Sequence, residues 1–173
     1  MAVSIRDARR SSEDRKWIER VYREYLDDLG AGGTGAFPTL TLTGQASHDL
    51  LGGWFRDERL IPFVILHGKE PAGFALVQRT SPVRSGPQAA FRLAEFFVRR
   101  PVRRLGLGRE AARLLFDRFE GQWLVSESNG HREAVAFWRK VIGSYTRGRF
   151  REQLAGGELQ HTFSSAGRAA GHA

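Results

Sequence analysis

Hydrophobic and polar positions change period several times along this chain, and each change marks an element. Val3 to Ala8 alternates and predicts a short strand. Ser11, with Asp14 three residues on, forms a capping-box signature. The helix it opens repeats apolar residues at Ile18, Val21, Tyr22, Tyr25, Leu26 and Leu29 and is expected to stop at Gly30. Residues 30–47, GAGGTGAFPTLTLTGQAS, form a glycine-rich connection longer than compact domains usually keep. Ser47 is expected to cap a second helix containing Leu50, Leu51, Trp54 and Phe55. Pro62 to Leu66, the turn His67 to Glu70, and Ala72 to Gln78 read as a hairpin. Thr80 to Ala90, with Pro82, Gly86 and Pro87, reads as a loop.

The most informative stretch is Phe91 to Glu120, FRLAEFFVRRPVRRLGLGREAARLLFDRFE. Leu93 to Val98 suits a buried strand bounded by the turn signal at Pro101. Beyond it, Leu107, Ala111, Leu114, Leu115 and Phe119 share one face of a helix. Downstream, Trp123 to Ser126 predicts a strand and Arg132 to Ile142 a short helix with Ala134, Phe137, Trp138 and Val141 on its apolar side. Tyr145 to Leu154 and Glu158 to Ser164 predict a closing hairpin around Gly156-Gly157. The chain is therefore expected to form one domain over residues 1–164, followed by a disordered tail over residues 165–173, which has too little apolar content to fold.

Composition narrows the function classes. The chain has no cysteine, so disulfides and thiolate chemistry are excluded. Its N-terminal residues are too charged for a signal peptide, and its longest apolar run, Leu60 to Leu66, is interrupted by Pro62 and too short for a bilayer. The expectation is a cytoplasmic protein without a membrane association. Net charge is +8, and only Lys16, Lys69 and Lys140 among the 27 basic residues are lysine. Arg99, Arg100, Arg103, Arg104, Arg109 and Arg113 gather around Gly106 and Gly108. No run interleaves bases with aromatics, so the basic balance points to an anionic small ligand rather than nucleic acid. The histidines are scattered, and no metal-ligand spacing occurs.

Glycines at 106 and 108 clear side chains from a helix entrance. The unpaired N–H groups and partial positive charge there form a phosphate site, with arginines to match. Gly106-Leu107-Gly108-Arg109-Glu110-Ala111 formally fits the dinucleotide fingerprint, with Glu127 near the distance for a ribose contact. That reading, a nucleotide-dependent oxidoreductase, requires the glycines directly after a strand and a series of βαβ units. Here seven residues separate Val98 from Gly106.

Arg103-Arg104-Leu105-Gly106-Leu107-Gly108 also matches the acyl-CoA loop R/Q-x-x-G-x-G/A, behind a strand ending in F-F-V and ahead of a helix. With the element order β-α-α-β-β-β-α-β-α-β-β, the chain resembles the GNAT acetyltransferase superfamily over about residues 3–164. The resemblance implies an α+β fold (an α/β sandwich) with a mixed, mostly antiparallel sheet, splayed central strands and flanking helices. It implies acetyl-CoA as cosubstrate, with pantetheine between the splayed strands near Phe96, Phe97 and Val98. Phosphates would lie against Arg103, Arg104, Leu105, Gly106, Leu107, Gly108 and Arg109, and the residues 30–47 connection would shape the acceptor pocket. The second signature, N-x-x-A-x-x-F-Y, reads His131-Arg132-Glu133-Ala134-Val135-Ala136-Phe137-Trp138. Histidine replaces asparagine and tryptophan replaces tyrosine. Asn129, two residues earlier, is a candidate contact for the cosubstrate or a plain N-cap; Phe137 and Trp138 are further candidates.

Amide formation needs a base for the ammonium proton and often an acid for the departing thiolate. Trp138 has no titratable proton, which leaves Tyr145 and Tyr25 as replacements or as packing residues. Glu95, the only charge between Leu93 and Val98, is the candidate base, with a salt bridge to Arg92 as the alternative and Glu127 in reserve. Polyamine acetyltransferases carry L-E-D-F-F-V here against Leu93-Ala94-Glu95-Phe96-Phe97-Val98, so strand alternation leaves the face of Glu95 open. The expected acceptor is a small-molecule or peptide amine. A non-catalytic acyl-CoA-binding or sensing domain is the alternative, and a homodimer is left open.

Overall fold

The computed structural model describes residues 1–30, 47–80 and 90–166. Its strands are β1 (Val3–Asp7), β2 (Leu60–His67), β3 (Glu70–Arg79), β4 (Phe91–Val98), β5 (Gly121–Ser128), β6 (Arg151–Ala155) and β7 (Glu158–Ser165). Its α-helices are α1 (Ser12–Gly30), α2 (Ser47–Arg56), α3 (Leu107–Arg118) and α4 (Arg132–Thr146). The element order is the expected one. The strands form one seven-stranded sheet in the order β1-β2-β3-β4-β5-β7-β6, antiparallel except for the β4–β5 pair. A single parallel pair is incompatible with the doubly wound sheet that the oxidoreductase reading needed.

Two cores cover the two faces. On one face, Ile61, Phe63, Ile65, Leu93, Phe96, Val98 and Val125 pack with residues of α3 and α4. On the other, Val64, Leu66, Phe74, Leu76 and Phe97 pack with Ile18, Val21, Tyr22 and Tyr25 of α1 and Leu51 and Trp54 of α2. Pro62 is tolerated in β2 because β1 pairs only as far as Phe63, so no ladder bond is lost with its missing N–H. No helix among the described residues is long and apolar enough to cross a membrane.

Two features of the sheet set up the site. β4 and β5 pair only at Phe91, Arg92 and Leu93, opposite Trp123, Leu124 and Val125, and then diverge. From Ala94 to Val98, β4 therefore has no strand on that side. Furthermore, the β3–β4 register slips: Leu76 faces Glu95 while Val77 faces Leu93, so Ala94 is an extra residue and a β-bulge.

Several local expectations change. Ser11 Oγ does accept the Asp14 N–H at 3.3 Å, but the Asp14 carboxylate is taken by Arg6 at 2.6 and 2.7 Å rather than completing the capping box. Helix α4 runs to Thr146, so Tyr145 is helical and not part of the closing hairpin. β7 extends to Ser165, one residue into the expected tail. The residues 30–47 connection beyond Gly30, the Ser47 side-chain cap, most of the Thr80 to Ala90 loop and the tail from residue 167 lie outside what is described.

Candidate active site

Between β4 and α3 the chain makes a short 3-10 turn at Arg100–Val102 and then reverses through Arg104 (φ +65°) and Gly106 (φ +79°). Both residues are left-handed, a conformation that glycine adopts freely and arginine does not. Gly106 is the N-cap of α3 and offers no side-chain cap, so the first-turn N–H groups of the helix open onto the cleft. A β-carbon on Gly106 would meet only Arg109, at 3.8 Å. Crowding by protein atoms is thus not what its glycine avoids; the positive φ is. Gly108 has the opposite reason. A β-carbon there would lie 3.2 Å from the Phe137 ring and 3.7 Å from Phe96, so glycine lets α3 close against α4 and β4.

These elements bound a cleft of about 950 Å³ lined by Phe96, Val98, Arg104, Gly106, Arg109 and Phe137 among others. Arg104 and Arg109 line it with no ion pair to any carboxylate among the described residues. Leu105 stands at its edge, 66% exposed. Because the Arg99 N–H bonds the Ala72 carbonyl of β3, alternation turns the N–H and C=O of Val98 and Phe96 away from β3 and into the splay. The groups available to an added strand therefore belong to Phe96 and to the N–H of Val98, whose carbonyl accepts from Arg103, whereas Phe97 belongs to the opposite core.

Arg103 lines the cleft and also makes two bonds within the protein. Its Nε donates to the Val98 carbonyl at 2.7 Å and its Nη2 to Asp28 of α1 at 2.7 Å. Those two bonds tie the loop to α1, while Arg103 still stands in the lining of the cleft. Arg100 joins the same Asp28 at 3.0 Å, and Arg99 pairs with Glu24.

The second signature is also reinterpreted by the geometry. His131 is the N-cap of α4: its Nδ1 accepts the Ala134 N–H at 3.0 Å, the bond an asparagine oxygen would have made. Asn129 is exposed in the preceding turn, with its N–H on the Gly157 carbonyl, and caps nothing. Phe137 lines the cleft, while Trp138 is fully buried against Phe96 and Phe137, its Nε1 without a partner among the described residues. Tyr145 bonds Asp117 and Ser165 at the far end of α3 and is remote from the cleft lining.

The bulge decides the place of Glu95. Two-residue alternation from Leu93 would keep positions 95 and 97 in the α3–α4 core. With Ala94 inserted, Phe97 joins the α1–α2 core instead, and the Glu95 carboxylate accepts a hydrogen bond from the Tyr25 hydroxyl of α1. No ion pair with Arg92 forms. Glu95 is 4% exposed, and burial pushes its carboxyl well above the ordinary 4.5. Nearby, burial and then the charge of Glu95 push the Tyr22 hydroxyl up to about 12. Tyr25, a candidate on sequence grounds as a replacement acid, is placed by the fold as the partner of Glu95.

Glu127 lies on β5 beyond the last β4–β5 pair, completely buried, with Oε1 2.6 Å from His161 Nε2. His161 in turn lies 3.5 Å from Glu152, which Arg139 holds at 2.7 Å. The periodicity of β7 shows only that His161 points inward; nothing in the sequence announces its pairing with Glu127.

The sequence matches the acetyltransferase (GNAT) family over residues 17–143. The chain belongs to that family. GNAT acetyltransferases use acetyl-CoA as cosubstrate. Solved structures agree with the GNAT fold. An acetyltransferase from Thermus thermophilus is 18% identical, with a TM-score of 0.65 over 95% of this chain and 97% of its own. The ribosomal-protein-S18-alanine N-acetyltransferase from Escherichia coli is 15% identical, with a TM-score of 0.61 over 99% of each chain. PseH from Campylobacter jejuni, solved in complex with acetyl coenzyme A, is 9% identical, with a TM-score of 0.53 over 94% of this chain and 99% of its own. At these identities the likeness establishes the fold. No curated protein matches the sequence.

Proposed function

We propose that this GNAT protein is an acyl-CoA-dependent N-acetyltransferase that acetylates an amine by direct attack, with Glu95 as the base. The observation that carries the acyl-CoA part of the reading is the cleft itself, and the buried Glu95 bonded by Tyr25 supports the choice of base. An uncapped helix N-terminus, Arg104 and Arg109 without a described carboxylate partner, and the unladdered backbone of Phe96 and Val98 line one continuous wall. These donors fit a pyrophosphate at one end and the amides of pantetheine along β4. Bound acetyl-CoA supplies an acetyl group activated as a thioester, with CoA released once an amine nitrogen displaces the sulfur.

The residues of this chain do the remaining work. Leu107, Gly108 and Arg109 present N–H groups to the phosphates, Arg104 and Arg109 add charge, and Phe137 closes the wall. Glu95 takes the ammonium proton, either directly or through a water, and its raised pKa matches it to an amine more closely than an ordinary carboxylate would be matched. Tyr25 donates to the Glu95 carboxylate and orients it. Trp138 gives no proton, so the thiolate departs without an acid at that position. The acceptor is a small-molecule or peptide amine; the basic surface disfavours polycations.

Thermal melting tests the ligand class. CoA should raise the melting temperature, and NAD at equal concentration should not match it. Stronger protection by NAD would refute the reading. Binding of acetyl-CoA without turnover across a panel of amines would make the protein a sensor rather than an enzyme.

A further inference from the structure

An aspartate in the last turn of a helix faces the negative end of the helix dipole, and its burial costs solvation. Asp28 bears both costs: it lies near the C-terminus of α1, and its side chain is 2% exposed. Burial works to raise its carboxyl, yet the hydrogen bonds of Arg103 and Arg100 hold it below the ordinary value. Its two oxygens are divided between two residues of the β4–α3 loop. Oδ1 takes Arg100 Nε at 3.0 Å and Oδ2 takes Arg103 Nη2 at 2.7 Å. Arg103 continues the chain of contacts. Its Nε holds the Val98 carbonyl at 2.7 Å and its guanidinium lies 5.8 Å from the centre of the Phe97 ring. One planar fork therefore spans α1 and the last residue of β4, at the far end of the splay.

From these contacts we propose that Asp28 is a positioning residue for the donor cleft. It acts through Arg103 to fix the Val98 carbonyl and the entry of the phosphate loop. The proposal rests on the acyl-CoA reading of the cleft. Its physical content is that Arg103, which also lines the cleft, serves the ligand through the strut it forms between Asp28 and the Val98 carbonyl. Tyr25, the partner of Glu95, precedes Asp28 by three residues on α1, so a single helix face touches both halves of the site.

Calorimetric titration of CoA into the wild-type protein, Asp28→Asn and Asp28→Glu tests it. Asparagine keeps the shape but places an amide where a guanidinium must donate; CoA affinity should fall about tenfold. Glutamate keeps the carboxylate and should restore most of that loss. In steady-state assays the Asn variant should raise KM for acetyl-CoA while kcat at saturation stays within about twofold, a split that a general loss of folded protein would not produce. Arg103→Lys cannot reach Asp28 and Val98 together, so it should weaken CoA to a similar extent, and it answers the question should Asp28→Asn fail to fold. The double variant should lose no more than either single one. Wild-type affinity or tighter binding in Asp28→Asn, equal losses for Asn and Glu, or additive losses in the double variant would each overturn the proposal. A wild-type protein that takes up no CoA would overturn the acyl-CoA reading beneath it, which is a distinguishable failure.

Discussion

Two glutamates lie inside this protein on adjacent strands, and they are held in opposite ways. Glu127 on β5 has a titratable neighbour: His161 partly offsets the burial that raises its carboxyl, and Glu152 and Arg139 extend the network to the surface. Glu95 on β4 has phenolic hydroxyls near it and no cation among the described residues. Tyr25 is bonded and Tyr22 is close by, so burial acts on the carboxyl unopposed. A carboxylate knitted into such a network fits a structural element, and one held among aromatic rings without a cation fits the base proposed above. Burial is common to both glutamates, and their partners differ.

The largest test of that contrast is Glu95→Gln. If Glu95 is the base, turnover should fall roughly 10²- to 10⁴-fold while CoA affinity stays near wild type, measured by steady-state kinetics beside titration. The same variant also has a pH signature. A carboxyl whose folded pKa is raised binds its proton more tightly when native, so wild-type stability should decline as pH rises from the ordinary 4.5 through the raised value. Glu95→Gln should flatten that decline in denaturant titrations; an unchanged slope would mean that Glu95 ionises normally.

Glu127→Ala should do the reverse. Removing the acceptor from a buried His161 should cost about 1–3 kcal/mol of stability, with turnover per folded molecule preserved. A stable variant with lost turnover would transfer the role of base to Glu127. Smallest is Tyr25→Phe, which removes one hydrogen bond to Glu95. An effect of about 1 kcal/mol corresponds to roughly a fivefold loss of kcat/KM. No loss would show that Tyr25 packs beside Glu95 without orienting it.

Much of this molecule is legible in the amino-acid order. Periodicity locates the elements because each buries one face, and Gly106 and Gly108 stand out at the helix entrance, the first needed for its left-handed backbone and the second for close packing on Phe137. His131 and Trp138 are visible as departures from a signature, but their consequences are not. A cap depends on where a ring nitrogen falls relative to one N–H, and Nδ1 of His131 happens to reach Ala134. The face of Glu95 turns on Ala94, and nothing in Leu93-Ala94-Glu95 tells a bulged strand from a regular one. Only the register against β3 reveals the extra residue. Arg103 matches the loop motif by identity, yet its bond to Asp28, 75 positions away, is not visible in the motif. Sequence by itself determined the local periods, the family and the glycine positions, since these depend on residues close together in the chain. The partners of Glu95, Glu127 and Arg103 were settled only by tertiary structure, because a buried charge is defined by what folding brings against it.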